Sequence, residues 1–168
     1  MTEAQSSSVH ASAVLVGERA VLIRGPSGSG KSRLAFDLIL AGRAGQIAAA
    51  VLVGDDRVHL EATQGQLMVR PARELAGLIE IRGLGIRRCD FAEPAPVGLV
   101  VDLSAADAER LPAPGSLVCE IYGIKLPRVP VDAGFAPLPL VLAALSTRPS
   151  ADCPKGFGNH ISPTIATQ

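Results

Sequence analysis

Residues Gly25-Pro26-Ser27-Gly28-Ser29-Gly30-Lys31-Ser32 match the spacing G-x-x-x-x-G-K-[ST], and the chemistry suited to that spacing is the holding of a polyphosphate. Glycines at 25, 28 and 30 let the backbone curl so that successive N–H groups converge on phosphate oxygens. A helix starting near Lys31 adds the positive end of its dipole. Lys31 reaches the β- and γ-phosphates, and the Ser32 hydroxyl is placed to ligate Mg²⁺. The bland alternative is a glycine-rich turn that binds nothing, and the flanks argue against it. Ala20–Arg24 reads as a buried strand, and Arg33–Ala41 carries apolar residues at helical spacing, with Gly42 where a helix would stop. Strand, glycine loop and helix are the context this motif requires.

Acids and bases elsewhere are candidates to act on a phosphate held there. The apolar run Ile47–Gly54 ends in Asp55-Asp56. Adjacent residues of a strand face opposite ways, so one acid would serve the site and the other the scaffold; equally, the pair simply opens a turn. Val97–Val101 ends in Asp102 and competes with Asp55 for the role of metal-binding carboxylate. Glu80 and Arg82 share one face of a short apolar strand that enters Gly83-Leu84-Gly85; the alternative is an incidental surface ion pair. His10, alone on its strand, reads first as a hydrogen-bonded structural residue.

The elements that must position these groups read as follows. Val9–Val16 and Arg19–Arg24 flank Gly17-Glu18 as a hairpin whose second strand feeds the phosphate loop. A second hairpin pairs Arg57–Glu61 with Gln66–Arg70, and a third pairs Ser116–Ile121 with Ile124–Val131 around Tyr122-Gly123. Pro127 and Pro130 mark the last of these as an edge strand. Leu138–Leu145 is a short apolar helix. Residues 1–8 are expected to be disordered, 9–146 to form one catalytic domain, and 147–168 to be an irregular tail.

Composition narrows the functional class. The chain has 168 residues, enough for one domain with a proper core, and its 16 basic and 16 acidic side chains cancel. It therefore has no global field for nucleic acid or an anionic membrane. Tryptophan is absent and aromatics are 3%, which disfavours single-strand nucleic-acid stacking surfaces. Cys89, Cys119 and Cys153 form no C-x-x-C pair and read as reduced thiols. No leader or apolar run of membrane-spanning length is evident, so the expected location is cytoplasmic.

Taken in order, the phosphate loop, Gly54-Asp55-Asp56-Arg57-Val58 and Gly77-Leu78-Ile79-Glu80-Ile81-Arg82-Gly83-Leu84-Gly85-Ile86 resemble the catalytic domain of HPr kinase/phosphorylase. The Glu-Ile-Arg-Gly-Leu-Gly-Ile string is close to a signature of that family. The resemblance covers about residues 9–132 and is to the short proteobacterial form without the N-terminal domain. It implies an α/β P-loop kinase fold of the HPr kinase and phosphoenolpyruvate-carboxykinase-like type, with a mixed sheet and an N-terminal hairpin. It also implies an ATP- and Mg²⁺-dependent serine kinase acting on HPr, with phosphorolytic reversal, assembled as a hexamer. Carried over by position, His10, Lys31 and Asp55 are catalytic, Asp55 being the base for the target serine. Gly25 to Ser32 bind the nucleotide, Ser32 and Glu80 bind the metal, and Asp102 becomes structural. The family's Pro-Gly-Arg-Asn run is replaced by Val131-Asp132-Ala133-Gly134-Phe135-Ala136-Pro137, with Phe135 near the place of the catalytic arginine. The competing expectations are a P-loop enzyme for another substrate and a non-catalytic nucleotide sensor.

Overall fold

The computed structural model describes residues 6–150. Eleven strands and two α-helices follow one another as β1 (Ser6–Val9), β2 (Ser12–Val16), β3 (Arg19–Arg24), α1 (Lys31–Arg43), β4 (Ala50–Gly54), β5 (Val58–Thr63), β6 (Gln66–Pro71), β7 (Leu78–Ile81), β8 (Gly85–Arg88), β9 (Ala95–Leu103), β10 (Val118–Ile121), β11 (Ile124–Val131) and α2 (Pro137–Ser146). Nine strands form one mixed sheet with the path β1-β5-β6-β9-β3-β2-β4, and β11 joins β9 while carrying β10 on its other half. β7 and β8 form a separate hairpin. Fold class and N-terminal hairpin are as the sequence leads one to expect: β2 and β3 pair antiparallel from Val16↔Arg19 to Ser12↔Ile23.

β3 lies at the centre because both of its faces are apolar. Val21 and Ile23 enter one core with Leu34 and Leu38 of α1, whereas Ala20 and Leu22 enter a second core with Val58, Leu60 and Val69. Alternation along a strand sends successive side chains to opposite layers, and a strand covered on both faces needs a continuous apolar run. β9 is the branch point. Its first residues pair antiparallel with β6, and the remainder runs parallel to β3 on one side and β11 on the other. Both β3 and β11 therefore deliver their following loops to the same edge of the sheet.

Four local expectations change. Ser6–Ser8 are not loose but pair with Glu61–His59 of β5; residues 1–5 and the tail beyond 150 lie outside the described residues. Gly42 does not stop α1, which runs on to Arg43. A Cβ at Gly42 would lie 2.7 Å from the Ala50 backbone nitrogen, so the glycine is there for close helix–strand approach. The second hairpin is longer than expected, turning at Gln64-Gly65 alone. Finally, β11 changes partner at its middle: Ile124–Pro127 pair with β10 and Arg128–Val131 with β9. Each half has one neighbour only, which accommodates Pro127 and Pro130 without a lost ladder bond. Cys89 and Cys119 are free and partly buried; Cys153 lies outside the described residues.

Gly42 yields a prediction of sign. Replacing a glycine within a helix by alanine ordinarily stabilises by up to about 1 kcal/mol, less near a helix end such as Gly42 occupies. Here the added methyl meets backbone, so Gly42→Ala should destabilise by roughly 1–3 kcal/mol, read as a lower midpoint in urea denaturation.

Candidate active site

The phosphate loop leaves β3 at Gly25 and enters α1 at Lys31. Gly25 is held tightly: a Cβ there would lie 2.7 Å from Ser29 Oγ and 3.0 Å from Leu103 of β9. Gly30 precedes α1 in the left-handed region at φ +99°, which a side chain would resist. Lys31 is 6% exposed, and its Nζ donates to the carbonyls of Gly25 at 2.9 Å and Pro26 at 3.0 Å. The ammonium is thus drawn across the loop with one of its three N–H groups left over. Ser29 Oγ, buried in the loop, has no hydrogen-bond partner. An orphaned hydroxyl beside a curl of backbone N–H groups and a buried ammonium suits a polyphosphate.

Two chain crossings meet beside this loop. β1 pairs with β5 up to Val9↔Val58, and β2 pairs with β4 from Ala13↔Gly54. His10 to Ser12 must therefore face Asp55 to Arg57 across the gap between the two ladders. Ser12 Oγ donates to Asp55 Oδ1 at 2.5 Å, and His10 Nε2 lies 2.8 Å from Asp56 Oδ1. A carboxylate only accepts, so His10 carries its proton on Nε2.

The two aspartates diverge completely. Asp55 is 3% exposed and takes, besides Ser12, the Ser32 hydroxyl at 2.8 Å from each oxygen and the Glu80 backbone N–H at 3.0 Å. Asp56 sits at φ +65°, a left-handed turn position, with its side chain 68% exposed. Of the pair, Asp55 takes the buried place and Asp56 the turn.

A cleft of about 810 Å³, within the ~300–1,000 Å³ usual for small-molecule sites, gathers these groups. Ser27 to Leu34, His10, Ser12 and Asp56, Glu80 and Arg82 of the β7–β8 hairpin, and Ala133 to Leu138 all line it. Of the sequence-derived candidates, His10, Lys31, Ser32 and Glu80 line this cleft; Asp55 stands behind it, bonded to Ser32. Expected as the base, Asp55 is turned inward with its oxygens already engaged, and Asp56 takes the exposed place. Ser12 was missed. Its only signal was a serine inside the apolar run Ala11–Val16. The residues fit a Mg²⁺ ion: Mg²⁺ takes few protein oxygens alongside phosphate and water, and a hydroxyl backed by a carboxylate is such a donor set. Among the described residues there is no cluster of three or more His, Cys, Asp or Glu that would cage a metal by itself.

Asp102 belongs to a neighbouring network, not to the cleft. Arg24, in register with it on β3, donates Nε and Nη2 to its two oxygens at 2.7 and 2.8 Å. Arg128 of β11 donates Nε at 2.5 Å and reaches Asp107 with both terminal nitrogens. Arg128 is thereby committed to the scaffold. Burial alone would push the Asp102 carboxyl up, but the hydrogen bonds from Arg24 and Arg128 outweigh it and hold the group below its ordinary range. Burial pushes both described thiols up, which leaves them unactivated as nucleophiles.

Strand, phosphate loop, helix and a carboxylate on the loop serine make up the arrangement of a P-loop domain. Residues 2–135 match the family model described as the HPr Serine kinase C-terminal domain, and the chain belongs to that family. It is 30% identical over 154 residues to the HPr kinase/phosphorylase of Mycoplasma mycoides subsp. mycoides SC, covering 82% of this chain and 46% of that one. With the HPr kinase/phosphorylase of Streptococcus thermophilus it shares 43% identity over 84 residues, 49% of this chain and 25% of the relative. The solved Hpr(Ser) kinase/phosphatase from Coxiella burnetii superposes with a TM-score of 0.64 at 26% identity, covering 81% of this chain and 91% of that one. The chain thus spans between about a fifth and a half of the length of the curated relatives it matches.

The Asp102 network carries a pH prediction. A carboxyl held low in the folded chain stabilises it fully above the unfolded value near 3.9, and that stability is lost as pH falls through the lower folded value. Asp102→Asn should lower stability at pH 7 by roughly 2–4 kcal/mol, somewhat below a fully buried pair because Arg24 is 36% exposed. Thermal melts of the variant should also depend less on pH below about 4 than those of the wild type.

Proposed function

We propose that this chain is an ATP- and Mg²⁺-dependent protein kinase that phosphorylates a serine of the phosphocarrier HPr. The observation that carries the reading is the meeting, in one cleft, of the phosphate loop with the exposed Asp56–His10 pair. Phosphoryl transfer asks mainly for positioning and charge neutralisation. The loop N–H groups and Lys31 would bind the phosphates and absorb charge developing on the transferred group. Mg²⁺, when bound, would supply further neutralisation on the phosphoryl oxygens. Ser32 and Glu80 are the residues to hold it, with Asp55 orienting the Ser32 hydroxyl.

Asp56, in place of Asp55, is the base in this reading. His10 occupies Oδ1, which leaves Oδ2 to accept the proton of the incoming serine hydroxyl. Asp55 cannot do this without giving up a buried donor. Phosphorolysis of the phosphoserine would use the same groups: the phosphoryl passes to orthophosphate, giving pyrophosphate, while Asp56 returns the proton to the serine oxygen. A hexameric assembly and a cytoplasmic location complete the proposal; among the described residues no helix is long and apolar enough to cross a membrane. A second reading, a nucleotide sensor without transfer, is favoured by Phe135 standing where the resemblance places an arginine.

The test is intact-mass analysis of HPr after incubation with the chain, Mg²⁺ and ATP. The expected gain is about 80 Da, one phosphoryl group. Asp56→Asn should cut the rate at least about 100-fold while ATP still binds. ATP binding without any gain in wild type would favour the sensor. A fully active Asp56→Asn enzyme would remove Asp56 as base. Asp55→Ala should act differently, orphaning Ser12 and the Glu80 N–H and costing about 1–3 kcal/mol of stability, measured by urea denaturation.

A further inference from the structure

The segment from Ala133 to Leu138 that lines the cleft is apolar and is not used by the chemistry above. Its one aromatic residue is Phe135, 72% accessible, in a chain with four phenylalanines, one tyrosine and no tryptophan. Its backbone is nonetheless fixed. The Phe135 N–H donates to the Asp132 carbonyl at 3.1 Å, closing a turn directly after β11, and the Ala133 N–H donates to Asp132 Oδ1 at 2.7 Å. Two residues later Pro137 opens α2, whose fully buried Val141 anchors that helix in the core. The ring is thus presented to the cleft from a closed turn braced on both sides.

Sheet geometry sets the spacing of the two loops. β3 and β11 both run parallel to β9, one on either side, and both end at the same edge. Strands lie about 4.8 Å apart, so the loops after β3 and β11 emerge about 10 Å from each other. That is the scale of the separation between the diphosphate and the base of an extended nucleotide. A cleft lined both by the phosphate loop and by an exposed aromatic ring from the loop after β11 has the complementarity of a nucleoside polyphosphate.

We propose that Phe135 is the nucleobase platform of this cleft, stacking on the base of a purine nucleoside triphosphate whose phosphates lie in the loop at 25–32. This rests on the reading of the loop as a phosphate site and adds the recognition of the other end of the ligand. Stacking on an aromatic face tolerates any base, so ATP and GTP are gripped alike, and the platform contributes to nucleotide affinity and not to selection among purines.

Inorganic tripolyphosphate separates the two ends, since it has the phosphates and no base. With Mg²⁺ present, calorimetric titration of Phe135→Ala should show ATP and GTP affinity lowered roughly tenfold and tripolyphosphate affinity unchanged. Phe135→Trp should keep ATP affinity, and its tryptophan, alone in the chain, should change emission on adding ATP but not tripolyphosphate. Equal weakening of ATP and tripolyphosphate in Phe135→Ala, or no weakening of either, would overturn the platform. So would a loss confined to the apparent affinity for HPr, which would make Phe135 a protein-docking residue. If the wild type bound neither ligand, the phosphate-loop reading would fall, and this inference with it.

Discussion

Burying a carboxylate is costly unless donors replace the water it gives up, and Asp55 is buried with neutral donors only. Ser12 comes from β2, Ser32 from the first turn of α1, and the Glu80 N–H from β7. Hydrogen bonds to a charged group contribute about 1.5–3 kcal/mol each. They do so only while all three segments stay within reach. One side chain therefore couples the N-terminal hairpin, the phosphate-loop helix and the signature hairpin, and the cleft exists because that coupling holds. Asp56 follows directly: with Asp55 turned inward, the next residue enters the left-handed turn and is carried to the surface beside His10.

A second constraint acts beneath the loop. β9 serves three neighbours, and its last residues support β3 and β11 together. Asp102 there engages both flanking arginines, while the backbone of Leu103 closes against Gly25. Backbone contact and ion pairing thus fix the point at which the chain leaves β3. A loop that binds through backbone N–H groups depends on such fixing, because its donors cannot re-aim as side chains can. The same network explains why Arg128, although near the strand ends, has no place in the cleft.

Division of labour between two adjacent acids is the chemical consequence. A carboxylate engaged by three protein donors can orient the hydroxyl it holds, whereas one with a single histidine contact keeps an oxygen open to an incoming group. The segment from Ala133 to Leu138 adds an apolar face. Together they make a cleft with an anion-binding loop, two acids in different settings and a non-polar lining on rigid supports, since β3, β9 and α1 bury nearly all of their inward side chains.

Much of this was legible before folding. The phosphate loop and its flanking strand and helix are local in the chain, so spacing and periodicity reveal them. The hairpins at Gly17, Tyr122-Gly123 and Gly83–Gly85 follow from turn residues, and their positive φ values agree. The resemblance to the HPr kinase family rested on the same short-range strings. What spacing could not reveal was long-range register. That Ser12 meets Asp55, 43 positions away, depends on β1 and β2 pairing with different strands, which leaves His10–Ser12 opposite Asp55–Arg57. For the same reason the residues alone could not say which of Asp55 and Asp56 is buried, since alternation says only that the two differ and not which faces inward. Gly42 looked like a helix stop because its partner, Ala50, is brought to it only by packing. Local chemistry is written in neighbouring residues, whereas burial and pairing are properties of segments that meet only once the sheet has formed.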